Sequence, residues 1–235
     1  LKFDGVGAGA WGSMPSCNTA RDSAGSLGGT PYTGVVLMGG EPAPAGIKTE
    51  TYNGTAWTEV ADMPATRSIS IAAGTNTAGL VAAGPPGTTD LWNGTSWSAG
   101  SGTAPVIGVT AWTGATTSDV MGAGGYGPAS TNTSLVYNGT SWSAGGTMSR
   151  AAFYGGNGAT AAPGSTALVF GGLLYPPVNT TAATELYNGT GWSTVEDVNT
   201  KRYYAGSCGT STAAMFVAGN NFPTALTIVE QYDGT

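Results

Sequence analysis

The stretch Tyr52-Asn-Gly-Thr-Ala-Trp57 recurs with small changes along this chain of 235 residues. Asn-Gly between β-prone segments is the strongest short-range signal for a β-hairpin, and it predicts a type I′ turn with positive φ at both central residues. Further copies begin at Trp92, Tyr137 and Tyr187, and a last copy begins at Tyr232 with Asp-Gly in the turn. The copies are spaced by 40, 45, 50 and 45 residues, which indicates a repeat protein with one hairpin in each unit.

Each unit also carries an apolar strand that ends in glycine. Examples are Val35-Val-Leu-Met-Gly-Gly40, Leu80-Val-Ala-Ala-Gly84, Ala167-Leu-Val-Phe-Gly-Gly172 and Met215-Phe-Val-Ala-Gly219. Such continuous apolar runs are typical of strands buried on both faces, and no amphipathic helical period accompanies them. We interpret each unit as four strands, a to d. Strand b ends at the glycines, strand c ends at the aromatic residue before the turn, and strand d carries the tryptophan after it. Four strands in about 45 residues are typical of a β-propeller blade.

The repeat resembles the kelch repeat over nearly the whole chain. Met63-Pro64 and Arg67 precede strand a, and aromatic residues flank the turn, although Asn-Gly is a tighter turn than the usual kelch connection. The Asn-Gly-Thr-Ser-Trp style, with lead-ins from Asn18 to Arg21 and from Asn199 to Arg202, also resembles kelch-like repeat proteins of marine bacteriophages, especially cyanophages. These resemblances imply an all-β, kelch-like β-propeller and a virion surface protein, such as a tail, fibre or capsid-decoration component.

Strand counts predict one five-bladed propeller over residues 1–235, with the last blade closed by the N-terminal strand. In this arrangement the strand around Trp11 pairs with the strand ending at Tyr232, which removes two exposed sheet edges. The leftover Phe3-Asp-Gly5 leaves open a larger propeller of which this chain is a part. The expected blades span approximately residues 16–62, 63–104, 105–147, 148–198, and 199–235 together with 1–15.

Arginines and acidic residues recur together in four of the five units. The third unit has Ile107 and Leu135 at the two positions and so lacks both charges. Because a buried charge without its partner costs about 3–5 kcal/mol, this joint loss indicates structural ion pairs inside the blades. The alternative is a ring of arginines that binds an anionic ligand. The predicted pairs are Arg21–Glu50, Arg67–Asp90, Arg150–Glu185 and Arg202–Glu230.

The strand-d tryptophans are predicted to wedge between neighbouring blades, where burial of a large apolar side chain contributes about 1.5–3 kcal/mol. A sugar-stacking ladder is the alternative. The turn asparagines also match the N-glycosylation pattern. The last copy has Asp233 in the same turn, so turn geometry accounts for these residues and we expect no modification. The asparagines concerned are Asn53, Asn93, Asn138 and Asn188.

The chain has no histidine. Its absence excludes Ser-His-Asp and Cys-His catalysis, histidine-based metal sites, and the copper site of galactose oxidase, an enzyme with the kelch fold. Two cysteines, Cys17 and Cys208, do not make a disulfide framework, and we expect both to be free. We predict no catalytic residues, no metal site, no cofactor and no enzymatic activity. One alternative stays open, a carboxylate pair for glycoside hydrolysis drawn from Asp4, Asp22, Asp62, Asp119, Glu196 and Asp197.

Binding is expected on the b–c loops, where the repeats differ, because variable loops on a rigid scaffold usually carry function. These loops gather aromatic and amide side chains on one face, and the alternative is that the rings only cap the blades. The candidate ligand-binding residues are Tyr126, Tyr175, Asn220, Asn221 and Phe222.

The expected partners are other virion proteins or a host-surface glycan or protein, in a virion or extracellular setting. A secreted or cell-surface lectin is the alternative, and any oligomer would form through a larger assembly. A net charge of −6 without a basic run argues against nucleic acid. No apolar stretch approaches the roughly 20 residues that span a bilayer, so we expect no membrane insertion.

Overall fold

The computed structural model describes residues 13–28, 34–42, 44–68, 71–82, 87–103, 111–126, 130–151, 156–157, 166–175 and 178–234. Within these ranges the regular structure is β-strand, apart from one 3₁₀ turn at Ala45–Ile47. No helix in this part of the chain has the length and apolar character to cross a membrane. Trp11, Ile107, Asp4 and the predicted N-terminal strand lie outside the described residues.

The first three units each form a four-stranded antiparallel sheet in which sequential strands are neighbours. Sheet 1 contains β1 (Gly25–Leu27), β2 (Val35–Met38), β3 (Thr49–Tyr52) and β4 (Trp57–Glu59). Sheet 2 contains β5 (Ile71–Gly74), β6 (Gly79–Ala82), β7 (Thr88–Trp92) and β8 (Trp97–Thr103). Sheet 3 contains β9 (Ala111–Thr116), β10 (Asp119–Tyr126), β11 (Ser130–Tyr137) and β12 (Trp142–Thr147).

The last two units add a small hairpin to the main sheet. The fourth unit contains β13 (Gly156–Asn157), β14 (Ala167–Phe170), β15 (Leu173–Leu174), β16 (Asn179–Thr180), β17 (Thr184–Tyr187) and β18 (Trp192–Val195). The fifth contains β19 (Gly206–Thr210), β20 (Ala213–Val217), β21 (Asn220–Asn221), β22 (Thr224–Ala225) and β23 (Val229–Tyr232). The small hairpins are β15–β16 and β21–β22. Sheet 4 contains β13, β14, β17 and β18. Sheet 5 contains, among the described residues, β19, β20 and β23.

The repeated turn differs from the predicted type I′ turn. Tyr52 pairs with Trp57, so four residues connect the strands. The Asn53 Oδ1 atom accepts the backbone N–H groups of Thr55 at 2.9 Å and Ala56 at 3.0 Å. Gly54 has a φ of 98°, whereas Asn53 is not in the positive-φ region. The asparagine side chain therefore organises the turn as an Asx motif, and only one residue needs the left-handed conformation.

Consecutive sheets contact each other through their first strands. Strand β1 contacts β5, β5 contacts β9, β9 contacts β13, and β13 contacts β19. The apolar core lies between the sheets: one cluster joins Leu27 and Met38 of sheet 1 to Val81 and Trp92 of sheet 2. Such a series of four-stranded sheets in contact through their first strands is consistent with a propeller.

In sheets 2, 3 and 4 the strand-d tryptophan connects its sheet to the sheet before it. The indole Nε1–H donates to a hydroxyl on the third strand of the preceding sheet, which satisfies both groups where they are removed from water. This confirms the predicted wedge role for three of the five tryptophans. The bonds are Trp97 to Thr49 at 2.9 Å, Trp142 to Thr89 at 2.8 Å and Trp192 to Ser134 at 2.9 Å. In sheet 1, the Trp57 indole donates instead to the backbone carbonyl oxygen of Pro15 at 3.0 Å.

Candidate binding surface

Three of the predicted arginines lie against their carboxylates. Arg21 Nη2 is 2.5 Å from Glu50 Oε1, and Arg202 Nη2 is 2.8 Å from Glu230 Oε1. Arg67 contacts Asp90 through Nε and Nη2 and also donates from Nη2 to the carbonyl oxygen of Thr88 at 2.8 Å. All three guanidinium groups are buried, so these pairs hold the interior of the sheets together.

The fourth predicted ion pair, Arg150–Glu185, is wrong, because the two side chains do not contact each other as a pair. Glu185 accepts the backbone N–H groups of Ser149 at 2.7 Å and Arg150 at 3.2 Å, as Glu50 accepts those of Asn18 and Thr19. Arg150 therefore occupies the position of Thr19, two residues before the position of Arg21. Its guanidinium donates to Thr181 Oγ1 at 3.1 Å, and no ion pair joins it to Glu185, although the structure describes both residues.

The surroundings of Glu50 stabilise its charged form. Burial raises the pKa of Glu50, but the backbone N–H groups of Asn18 and Thr19 and the Arg21 guanidinium outweigh this effect, and the net pKa lies below the ordinary value of 4.5. A carboxylate with a lowered folded-state pKa contributes stability above its unfolded pKa, and this stability is lost as the pH falls through the folded pKa.

We therefore expect the melting temperature to decrease as the pH falls below 4.5, and we expect Glu50→Gln to make this decrease shallower. Thermal melts from neutral pH down to about pH 3 measure the slope. The exposed Glu59 supplies the control, because Glu59→Gln removes a carboxylate from the surface instead of from the interior. Identical slopes for Glu50→Gln and wild type would contradict this account of Glu50.

The two small hairpins begin where the second strands of sheets 4 and 5 end. Gly171 and Gly172 have φ values of 63° and 115°. A Cβ at Gly171 would lie 2.7 Å from the backbone oxygen of Arg202, so the close approach of that segment requires glycine. In sheet 5, Ala218 and Gly219 take the same place, with φ values of 57° and 98°. The glycine-ended strands thus turn the chain out into the hairpins.

The hairpins expose large apolar side chains, and we define the hairpin surface as residues 173–175, 178–180, 203–204 and 220–225. Phe222 is 76% exposed, Tyr204 is 63% exposed and Tyr175 is 40% exposed, and Val178 is also exposed. Grouped exposed apolar side chains mark interaction sites, and tyrosine and phenylalanine are enriched at protein interfaces. The surface can therefore contact a partner through flat aromatic rings.

Polar contacts join the two hairpins to one another and to the chain before sheet 5. The Thr180 hydroxyl donates to Asn221 Oδ1 at 2.8 Å. Asn220 and Tyr203 exchange two backbone hydrogen bonds, at 2.8 and 2.9 Å. The rings of Tyr203 and Tyr204 lie 4.9 Å apart. These contacts place an amide-rich segment beside the aromatic rings on an ordered backbone.

Four of the five sequence-predicted ligand-binding residues lie on this surface. Tyr126 is the last residue of β10, and its side chain is outside the described part of the structure. Sequence reasoning missed Val178 and Tyr204. Tyr204 could have been predicted from the sequence. The links between blades lie on the same face as the b–c loops, and Tyr203-Tyr204 follows Arg202 at the end of such a link.

Two of the carboxylates considered for glycoside hydrolysis have other contacts. Asp62 pairs with Lys48 at 3.2 Å, and Asp197 accepts the backbone N–H of Thr184 at 3.2 Å. Among the described residues, no three His, Cys, Asp or Glu side chains are placed to hold a metal ion. Cys17 and Cys208 are free thiols.

One solved structure similar to this chain is that of YjhT. The TM-score is 0.66 at 15% sequence identity, over 89% of this chain and 80% of that chain. The likeness and the repeated four-stranded sheets together support a kelch-type β-propeller fold for this chain. At this identity the likeness concerns the fold alone. No protein-family model matches the chain, and no curated protein matches it in sequence.

Proposed function

We propose that this propeller is a non-enzymatic interaction module on the surface of a bacteriophage particle, and that its hairpin surface makes an adhesive contact with a host glycan. The observation that carries the proposal is the exposure of Tyr175, Tyr204 and Phe222 on chain segments that are joined by the Thr180–Asn221 bond and the Tyr203–Asn220 pairing. Aromatic faces pack against the C–H faces of sugar rings, and amide groups hydrogen-bond sugar hydroxyls. The resemblance of the repeats to those of phage proteins supports the virion setting.

The rest of the propeller supports a scaffold role. Buried ion pairs and repeated tryptophan contacts stabilise the sheets. The b–c loops, in contrast, differ between units in length and sequence. This separation between a uniform scaffold and varied loops is usual for binding proteins. The five-blade count and the ring closure belong to the same proposal. A secreted or cell-surface lectin would use the same surface, and a genomic neighbourhood without capsid or tail genes would favour it.

The test is a glycan-array screen of the full chain and of a Tyr175→Ala, Phe222→Ala double variant. We expect binding to a defined glycan class that the double variant loses by at least about tenfold, because truncating a central aromatic contact typically costs 2 kcal/mol or more. Val229→Ala is the matched control, since it removes an exposed apolar side chain from a strand of sheet 5 that is outside the hairpins. Absence of binding across a broad array, or equal binding by the double variant, would contradict the proposal.

A further inference from the structure

Tyr204 has a backbone conformation that tyrosine rarely adopts. Its φ is 53°, which lies in the left-handed region, and a bulky side chain is disfavoured there. The fold imposes this conformation, because Tyr203 and Asn220 exchange two backbone hydrogen bonds and the next residue turns the chain toward β19. The two segments approach closely, since a Cβ at Gly219 would lie 3.0 Å from the backbone oxygen of Tyr203.

Sheet 1 contains the same turn with a different side chain. Asp22 and Glu41 exchange two backbone hydrogen bonds at 2.9 Å, and Ser23 follows with a φ of 51°. One residue separates Ser23 from the start of β1, as one residue separates Tyr204 from the start of β19. The turn therefore forms with a small side chain, and the fold does not require an aromatic ring at Tyr204.

The ring of Tyr204 is placed for contact with a partner instead of with the core. It is 63% exposed, and its centroid lies 4.9 Å from that of the Tyr203 ring, which orients it. Residues in unfavourable backbone conformations concentrate at ligand contacts, where proteins give up stability for function. A strained and exposed tyrosine on the hairpin surface fits this pattern.

The described residues that form the hairpin surface include no Asp, Glu, Lys or Arg. The neighbouring Arg202 side chain is buried and pairs with Glu230 at 2.8 Å, and Lys201 is exposed beside it in the sequence. Recognition of carboxylate, sulfate or phosphate groups relies on arginine or lysine. The net charge of −6 also opposes the approach of an anion. The surface therefore favours a ligand without charge.

We propose that Tyr204 is the residue on which the ligand of the hairpin surface stacks, and that this ligand is an uncharged saccharide. The inference rests on the proposed function and adds to it the principal contact residue and the chemical class of the glycan. The C–H face of a neutral sugar ring packs on the tyrosine ring and needs no cation.

Tyr204→Gly tests the role of this residue. Glycine adopts the left-handed region without strain, so we expect the variant to raise the melting temperature by about 2–4 °C. We also expect it to weaken glycan binding by at least about tenfold, because the stacking ring is lost. Tyr204→Phe keeps a ring on the same backbone and should retain binding.

Ser23→Gly is the matched control, because it relieves the equivalent turn of sheet 1 without touching the hairpin surface. It should raise the melting temperature and leave binding unchanged. A melting temperature of Tyr204→Gly below that of the wild type would show that the ring stabilises the fold, and would overturn the assignment. Wild-type binding by Tyr204→Gly would overturn it as well.

An array that pairs each neutral oligosaccharide with a carboxylated or sulfated derivative tests the ligand class. We expect the neutral member to bind equally at low and high salt, because salt screens only interactions between charges. Lys201→Ala should bind as the wild type does. Preference for the charged member, or weaker binding at high salt or in Lys201→Ala, would overturn the class.

The two levels of the argument fail in different ways. A wild-type protein that binds no glycan contradicts the proposed function and this inference together. Loss of binding in the Tyr175→Ala, Phe222→Ala variant, with full binding by Tyr204→Gly, leaves the proposed function standing and overturns this inference alone.

Discussion

Replacing Arg67 by alanine is expected to lower the free energy of unfolding by about 3–5 kcal/mol, because the Asp90 carboxylate is left buried without its cation. Arg67 is 1% exposed and Asp90 is 2% exposed, so water cannot replace the lost guanidinium. The double change Arg67→Ile with Asp90→Leu should cost less than the single change, since it converts the site to the apolar pair of the third unit. Urea denaturation followed by tryptophan fluorescence measures the three proteins.

Lys48→Ala is the control for this series. Lys48 lies 2.7 Å from Glu59; Lys48 is half-buried and Glu59 is exposed, and ion pairs at the surface contribute about 0–1 kcal/mol. Equal losses for the Arg67 single and double variants would show that the site depends on arginine itself rather than on charge balance.

Trp142→Ala is expected to lower the free energy of unfolding by about 3–5 kcal/mol, the usual range for truncating a packed tryptophan. The change removes the ring that packs on Tyr137 and on the cluster of Leu80 and Val120, and it removes the donor to Thr89. Trp142→Phe should cost less, because an aromatic ring stays in the junction. Chemical denaturation provides the measurement.

A loss below about 1 kcal/mol for Trp142→Ala would be in the range of exposed substitutions and would contradict the wedge role. The sugar-ladder alternative gives a different outcome, in which Trp142→Ala keeps stability and loses glycan binding. Measuring both quantities on one preparation therefore distinguishes the two roles of the tryptophans.

The four-stranded units and the junctions were predictable because their signals are local and repeated. Asn53 to Trp57 marks a hairpin in any context, and four further copies leave little choice of architecture. The joint loss of charge at Ile107 and Leu135 pointed to paired burial in the other units. Cross-strand pairing of Tyr52 with Trp57 then follows from hairpin geometry.

Other features depend on details that spacing does not show. Arg150 is near the expected position, but two residues of register separate it from the ion-pair site, and only the carboxylate bonds to Ser149 and Arg150 reveal this. The turn was predicted from the backbone preference of Asn-Gly, whereas the Asn53 side chain supplies the acceptor. Tyr204 reaches the hairpin surface because Tyr203 pairs with Asn220, a contact between segments distant in sequence.

The tryptophan–hydroxyl contact has a direction, since in the three described junctions the donor belongs to the later sheet and the acceptor to the earlier one. Such a head-to-tail joint does not by itself limit how many units follow one another, and it allows insertion or loss of a whole unit without redesign of its neighbours. Sheet 5 differs at the acceptor position, because its equivalent residue is Val229, which is 57% exposed and has no hydroxyl. The polarity of the joint thus depends on a single hydroxyl in each sheet that accepts an indole.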